Sequence, residues 1–150
     1  MHKTKQQSFA LRLALDILRK NGYPRPKKRQ VLNFIRMRNL LKFPEEELQK
    51  RWREDHDAVW ENDIAWKRKN LFEDGEVLSP ERGVWELSAV GVEKIEKAKH
   101  KWLKFDSPEE RKRHLTALDY FTEDLYSWML KIARGESLSL KLESKNEIVS

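Results

Sequence analysis

Three cations and one amide stand side by side at Lys67, Arg68, Lys69 and Asn70, and Asn62 precedes them in the same segment. Lys and Arg side chains reach phosphate oxygens and the edge of guanine, and an Asn side chain makes two hydrogen bonds with adenine. Such residues on one helix are typical of a surface that contacts double-stranded DNA. The alternative interpretation is a solvated helix face, because acids in the same segment weaken its positive charge.

Two further groups of cations lie outside this segment. Lys27, Lys28 and Arg29 follow a proline at the expected start of a helix, where positive charge opposes the helix dipole and a phosphate would be favourable. We therefore expect them to contact the DNA backbone. Arg82 precedes a glycine in a polar loop, where it either reaches a groove or a phosphate or serves only to form the turn.

The elements around these residues follow from local signals. The helix near residues 62–74 is expected to end at Gly75, a residue suited to a left-handed helix end. Two short runs, residues 76–78 and 84–87, flank a loop with Pro and Gly, which predicts a β-hairpin, and Ser88 can cap the next helix. A basic helix followed by a hairpin with Arg at its tip is the layout of a winged helix-turn-helix. We expect the helix in a major groove and the 77–87 hairpin as the wing.

Other helices are predicted on both sides of this unit. Ser8 can cap a first helix that ends at Asn21-Gly22, and a second helix follows Pro26. A short helical segment is expected over residues 44–53, with a loop at 54–57 and Trp60 leading into the basic helix. A fourth helix of about four turns follows the hairpin, since apolar residues recur there at helical spacing.

A last helix is predicted from Ser107-Pro108 to about residue 134, with leucine and isoleucine at seven-residue spacing. It either packs on the preceding domain or pairs with its copy, and we expect a homodimer through residues 108–134. The predicted organisation is a winged-helix domain at 1–104, the C-terminal helix at 105–135 and a polar tail at 136–150. The fold class is mainly α, with a small hairpin and a C-terminal helical extension.

Composition narrows the class of protein. The 150 residues carry a net charge of +6 and no cysteine, which excludes disulfides and thiolate metal sites and favours a cytoplasmic protein. No apolar run is long enough to cross a bilayer, so no membrane partner is expected. Residues 1–43 hold twelve Lys and Arg against one acid, which gives +11, and the remainder carries −5. Such a basic part attracts phosphate, although an ordinary basic surface gives the same pattern.

The stretch from about Phe9 to Leu87 resembles the N-terminal winged-helix domain of Mrr-type restriction proteins. In that family a Trp in the basic helix is followed by a Leu five residues on and a Gly nine on, as at Trp66, Leu71 and Gly75. The hairpin then ends in Arg-Gly, a β-branched residue and an aromatic, as at residues 82–85. On a helical wheel Trp66 points well off the face shared by Trp60, Ile64 and Leu71, so it either packs at the core edge, as the resemblance implies, or is partly exposed. We expect the core edge.

The resemblance also bears on catalysis, because Mrr-type proteins couple this domain to a nuclease. Glu143-Ser144-Lys145 has the acid-x-Lys form of a nuclease metal site, but residues 89–150 are mostly predicted helical and leave no room for the required sheet. The four histidines share no ligand spacing, and no phosphate loop or nucleophile elbow is present. We expect no catalytic residue, no metal and no cofactor.

The sequence therefore predicts a non-catalytic winged-helix DNA-binding protein, a regulator or a DNA-recognition module of restriction or defence type. A second hypothesis is a protein-interaction module, with the winged helix as a scaffold and the C-terminal helix engaging a partner. A third is the specificity subunit of a restriction system whose nuclease lies on another chain.

Overall fold

The computed structural model of the protein describes residues 3–41 and 58–103, together with the isolated positions 48, 109, 110, 127 and 131. Over these residues the elements are the helices α1 (Lys3–Lys20), α2 (Lys28–Met37), α3 (Val59–Glu73) and α4 (Ala89–Leu103), and the strands β1 (Val77–Leu78) and β2 (Glu86–Leu87). The described part is mainly helical with one small antiparallel hairpin. This confirms the predicted fold class, a winged helix.

The core is built around α1, which packs against α2, α3, α4 and β2. Its side chains are buried on almost every side: Ala10, Leu11, Leu13, Ala14, Leu15, Ile17 and Leu18. A helix that is apolar all round is typical of one surrounded by other elements. The predicted start at Ser8 was wrong, because the helix begins at Lys3. Lys and Gln are good helix formers, and buried Gln7 fixes this first part to the core.

Three helices end in the same way, with one residue in the left-handed region. These residues are Gly22, Asn39 and Gly75, with φ values of 51° to 93°. At each end the next residue donates its backbone N–H to the carbonyl five positions earlier, at 2.9 to 3.1 Å, as in a Schellman motif. The predicted helix ends at Gly22 and Gly75 are confirmed.

The hairpin is antiparallel, with Val77 opposite Leu87 and Leu78 opposite Glu86. Val77 and Leu87 point into the core, whereas Leu78 is exposed. Its strands are shorter than the predicted runs of three and four residues. The reason is that Val84 pairs instead with Lys27, in the segment that leads into α2.

Several predictions fall on residues that the structure does not describe. They concern the helical segment at 44–53 and the loop at 54–57, of which only Leu48 is described, and the tail at 136–150 with its Glu-Ser-Lys triplet. The last helix and the dimer surface at 108–134 also lie outside, apart from four isolated positions. The domain boundaries at 104 and 135 therefore stay predictions. No helix among the described residues is long and apolar enough to span a membrane.

Candidate nucleic-acid interface

Helix α3 has an inward and an outward side. Trp60, Ile64 and Leu71 are buried, so they mark the side that packs on the core. The opposite side carries Asn62, Trp66, Lys69, Asn70 and Glu73, all exposed except half-buried Asn62. We refer to these five residues as the outward side of α3. It includes three of the predicted DNA contacts, whereas Lys67 is half-buried and lies next to Trp60 on the helical wheel, beside the inward side.

Trp66 lies on the outward side, where 52% of its surface is exposed. The expectation that it packs at the core edge was therefore wrong. At about 100° per residue, Trp66 is about 140° from the middle of the buried side, too far for its ring to turn inward. Its ring is in contact with Lys69, whose Nζ lies 4.8 Å from the ring centroid, within the range of a cation–π interaction.

Arg68 lies off the outward side, and its side chain extends toward the hairpin. Its guanidinium carbon lies 5.7 Å from the ring centroid of Trp85 and 6.0 Å from that of Phe72. Its Nε is buried and has no hydrogen-bond partner among the described residues. Arg68 was predicted to contact DNA, and the structure places it as the link between α3 and the hairpin.

The hairpin is also joined to the segment before α2. The contacts are a bridge between Lys27 and Val84, a hydrogen bond from the Lys28 N–H to the Gly83 carbonyl at 2.9 Å, and one from the Trp85 N–H to the Pro26 carbonyl at 2.8 Å. This pairing brings the backbone of Lys27 and Lys28 beside the loop that carries exposed Arg82. Three of the predicted DNA contacts, far apart in the sequence, thus lie along one border. We call Lys27, Lys28 and Arg82 the basic edge.

Arg29, which was predicted to contact phosphate, forms an ion pair across the fold. Its Nη1 binds Oε2 of Glu61, and Oε1 of the same carboxylate accepts the Ala58 N–H at 3.1 Å, where α3 begins. The pair therefore holds the first turn of α2 against the first turn of α3. It fixes the angle between two helices that present predicted DNA contacts.

A buried carboxylate, Glu76, joins three elements behind the interface. Its side chain is 1% exposed and accepts hydrogen bonds from Arg12 Nε at 2.7 Å, Arg12 Nη2 at 3.1 Å and Lys94 Nζ at 3.1 Å. Burial alone raises the pKa of the Glu76 carboxyl, but the hydrogen bonds and charges of Arg12 and Lys94 outweigh it, so the pKa lies below its ordinary value. Glu76 is therefore a charged anchor between α1, the hairpin and α4.

The turn from the hairpin into α4 is closely packed against the end of α3. The Ser88 hydroxyl donates to the Gly75 carbonyl at 2.5 Å and accepts the Gly91 N–H at 3.1 Å. This confirms Ser88 as the cap of α4. Gly91 has no space for a side chain, because a Cβ there would overlap the Glu76 carbonyl oxygen. The wing is thus held at its base by a contact that needs glycine.

Sequence reasoning missed the ion pairs that fix this frame. Glu76 and Arg12 are 64 positions apart, so no local pattern connects them. Asp16 could have been found, since it is the one acid in residues 1–43 and is followed by cations three and four positions later. It is fully buried, and Arg19 Nη2 lies 2.7 Å from its Oδ1.

Within the described ranges, no group of three or more His, Asp or Glu side chains is arranged to hold a metal ion. The described residues form three neighbouring features instead: the outward side of α3, the basic edge, and the wing, which contacts both α3 and the segment before α2.

The sequence model of the Mrr N-terminal domain family matches residues 11–97, more than half of the chain. The chain belongs to the Mrr N-terminal domain family. The match spans α2, α3, the wing and more than half of α1 and of α4. The family is that of a restriction-related N-terminal domain. Neither curated proteins nor solved structures give a significant match.

Proposed function

We propose that this protein binds double-stranded DNA through the outward side of α3, the basic edge and the wing, and that it does so without catalysis. The observation that carries the proposal is the pairing of residues 26–28 with residues 83–85, which puts cations from two distant segments on one border. A helix about 10–12 Å wide fits a major groove of about 12 Å. Arg82 then contacts the adjoining backbone or groove.

Membership of the Mrr N-terminal domain family supports a role in a restriction or related defence system. In this role the protein is a DNA-recognition module, and any cleavage is carried out by a nuclease centre elsewhere. A transcription regulator with the same docking surface is the alternative within this proposal. Incubation with supercoiled plasmid and Mg²⁺ tests the non-catalytic part: the plasmid is expected to stay supercoiled, and nicking that scales with protein concentration would contradict it.

Fluorescence anisotropy with a labelled random duplex tests DNA binding itself. The full chain is expected to bind at low salt and to lose affinity as salt rises, because phosphate contacts release counterions. A Lys69→Ala variant removes the cation on the outward side of α3, leaves Arg68 on the wing and is expected to bind about three- to tenfold more weakly. Lys97→Ala on α4, where Lys97 pairs with Glu93, removes an exposed cation outside the proposed surface and is the control. Equal loss in the variant and the control would contradict the proposed site.

A further inference from the structure

Three residues form a row along the outward side of α3. Asn62, Trp66 and Asn70 follow one another at intervals of four, so the row is roughly 12 Å long. That length corresponds to about three to four base pairs. No hydrogen bond to a described residue occupies the side-chain amide of Asn62 or Asn70, and the ring of Trp66 is half-exposed.

Each side chain of this row suits one part of an A·T pair. In the major groove an Asn amide makes a two-bond contact with adenine, in which its NH2 group donates to N7 and its oxygen accepts from N6. An apolar surface packs on the thymine methyl group. An exposed indole on a helix is a large apolar surface, and in a groove it loses the water around it. The row Asn-Trp-Asn therefore offers two adenine contacts around one methyl contact.

The side chains of α3 best suited to bind guanine, Arg68 and Lys69, are in contact with aromatic rings. Arg68, the residue type most suited to guanine, lies over Trp85 on another side of the helix. Lys69 is on the outward side, but its ammonium group rests on the Trp66 ring. Glu73, which could accept from cytosine, carries a negative charge that the neighbouring DNA phosphates repel.

We propose that the outward side of α3 selects A·T base pairs in the major groove, with Asn62 and Asn70 binding adenine and Trp66 packing on thymine methyl groups. The inference rests on the proposed DNA binding and adds its base preference. Phosphate contacts from the basic edge carry no such preference. The selectivity therefore resides in three residues of one helix.

Competition anisotropy with the full unmodified chain tests the inference on four duplexes of equal length, at a salt concentration near physiological. One has a mixed-order A·T core, one has deoxyuridine for thymidine, one has 7-deazaadenine for adenine, and one has a G·C core. We expect about tenfold preference for the A·T core over the G·C core. Loss of the methyl groups should cost about threefold, and loss of adenine N7 about fivefold.

Variants assign each effect to a residue. Trp66→Ala is expected to bind the thymidine and deoxyuridine duplexes equally, and Asn62→Ala/Asn70→Ala is expected to lose most of its response to 7-deazaadenine. Phe72→Ala is the matched control, because Phe72 is another aromatic of α3, 47% exposed, outside the outward side. It is expected to keep both responses. Circular dichroism confirms that each variant is folded.

The outcomes separate the two proposals. Equal affinity for the A·T and G·C cores, or an A·T preference that neither major-groove modification changes, overturns the inference and leaves DNA binding in place. If the protein binds none of the four duplexes, either at this salt concentration or at low salt, the proposed function is overturned as well.

Discussion

Glu76 brings Arg12 of α1 and Lys94 of α4 together at the base of the hairpin. Glu76→Gln removes the charge that Arg12 and Lys94 share and replaces one of the two acceptor oxygens with an NH2 donor. Because Arg12 and Lys94 are 25% and 52% exposed, water can solvate them, and we expect a loss of about 1–3 kcal/mol in unfolding free energy. Urea denaturation measures it. Glu93→Gln, at an exposed pair on α4, is the control and should change stability by less than about 0.5 kcal/mol.

The same residue predicts a pH dependence. The pKa of the Glu76 carboxyl is lower in the folded protein than its ordinary value of 4.5. The unfolded chain therefore binds a proton first, and the stabilisation from Glu76 is fully present above pH 4.5 and is lost as pH falls from there through the folded-state pKa. The difference in unfolding free energy between the wild type and Glu76→Gln should shrink over that range. A difference that is constant down to the lowest pH at which the protein folds would show that Glu76 is not held as a carboxylate.

Trp66 shows how far single residues could be assigned from the sequence. The helical wheel put Trp66 well off the face of Trp60, Ile64 and Leu71, which is where the structure has it. The resemblance to the family favoured the core edge and outweighed that geometry. Periodicity was the better guide here, because the inward side of α3 is already filled by three large apolar side chains.

At the scale of elements, Arg68 links α3 to the wing. Arg68→Lys keeps the charge but replaces the flat guanidinium that lies over Trp85, so we expect a loss of about 0.5–1 kcal/mol. We also expect the tryptophan emission spectrum to change, because the surroundings of Trp85 change. The affinity for DNA should fall by a small factor. Lys67→Arg, at the half-buried neighbour, is the matched conservative exchange. If Arg68→Lys and Lys67→Arg have the same unfolding free energy and the same emission spectrum, the contact between Arg68 and Trp85 does not stabilise the wing against α3.

Elements whose ends depend on local chemistry were predictable from the sequence. Gly22, Gly75 and Ser88 have their roles because backbone conformation and capping are decided within a few residues. The strand lengths were not predictable, because Val84 pairs with Lys27, 57 positions away. The partner of Arg29 is likewise remote, since Glu61 lies 32 positions further along the chain. Cations could thus be recognised by type, but only the fold shows which of them face the proposed interface.

At the scale of the whole molecule, folding brings the positive charge of residues 1–43 next to acids of the rest of the chain. Within the part of the chain that the structure describes, ion pairs join cations of residues 1–43 to acids of the later part, among them Arg12–Glu76, Lys20–Glu96, Arg25–Glu86 and Arg29–Glu61. The +11 of residues 1–43 is therefore larger than the charge this part offers to DNA. The basic edge, which combines both parts of the chain, is the more specific candidate for phosphate contact.

Self-association through residues 108–134 stays a prediction about the assembly. Leucine and isoleucine at seven-residue spacing in that segment indicate an apolar stripe that a second copy can cover. Light scattering coupled to size-exclusion chromatography is expected to give twice the 18.0 kDa of one chain. Leu118→Asp/Leu125→Asp should give the single-chain mass with the helical content retained. A single-chain mass for the wild type at micromolar concentration would contradict the predicted dimer.

The central claim, a DNA-docking surface bordered by the basic edge, is tested most directly by the salt dependence of duplex binding. The logarithm of the binding constant should fall linearly with the logarithm of the salt concentration, with a slope of about −0.9 for each phosphate contacted. Lys27→Ala/Lys28→Ala/Arg82→Ala should retain the fold and make the slope shallower by about two to three. A wild type that does not bind at low salt, or a triple variant with an unchanged slope, would contradict the account.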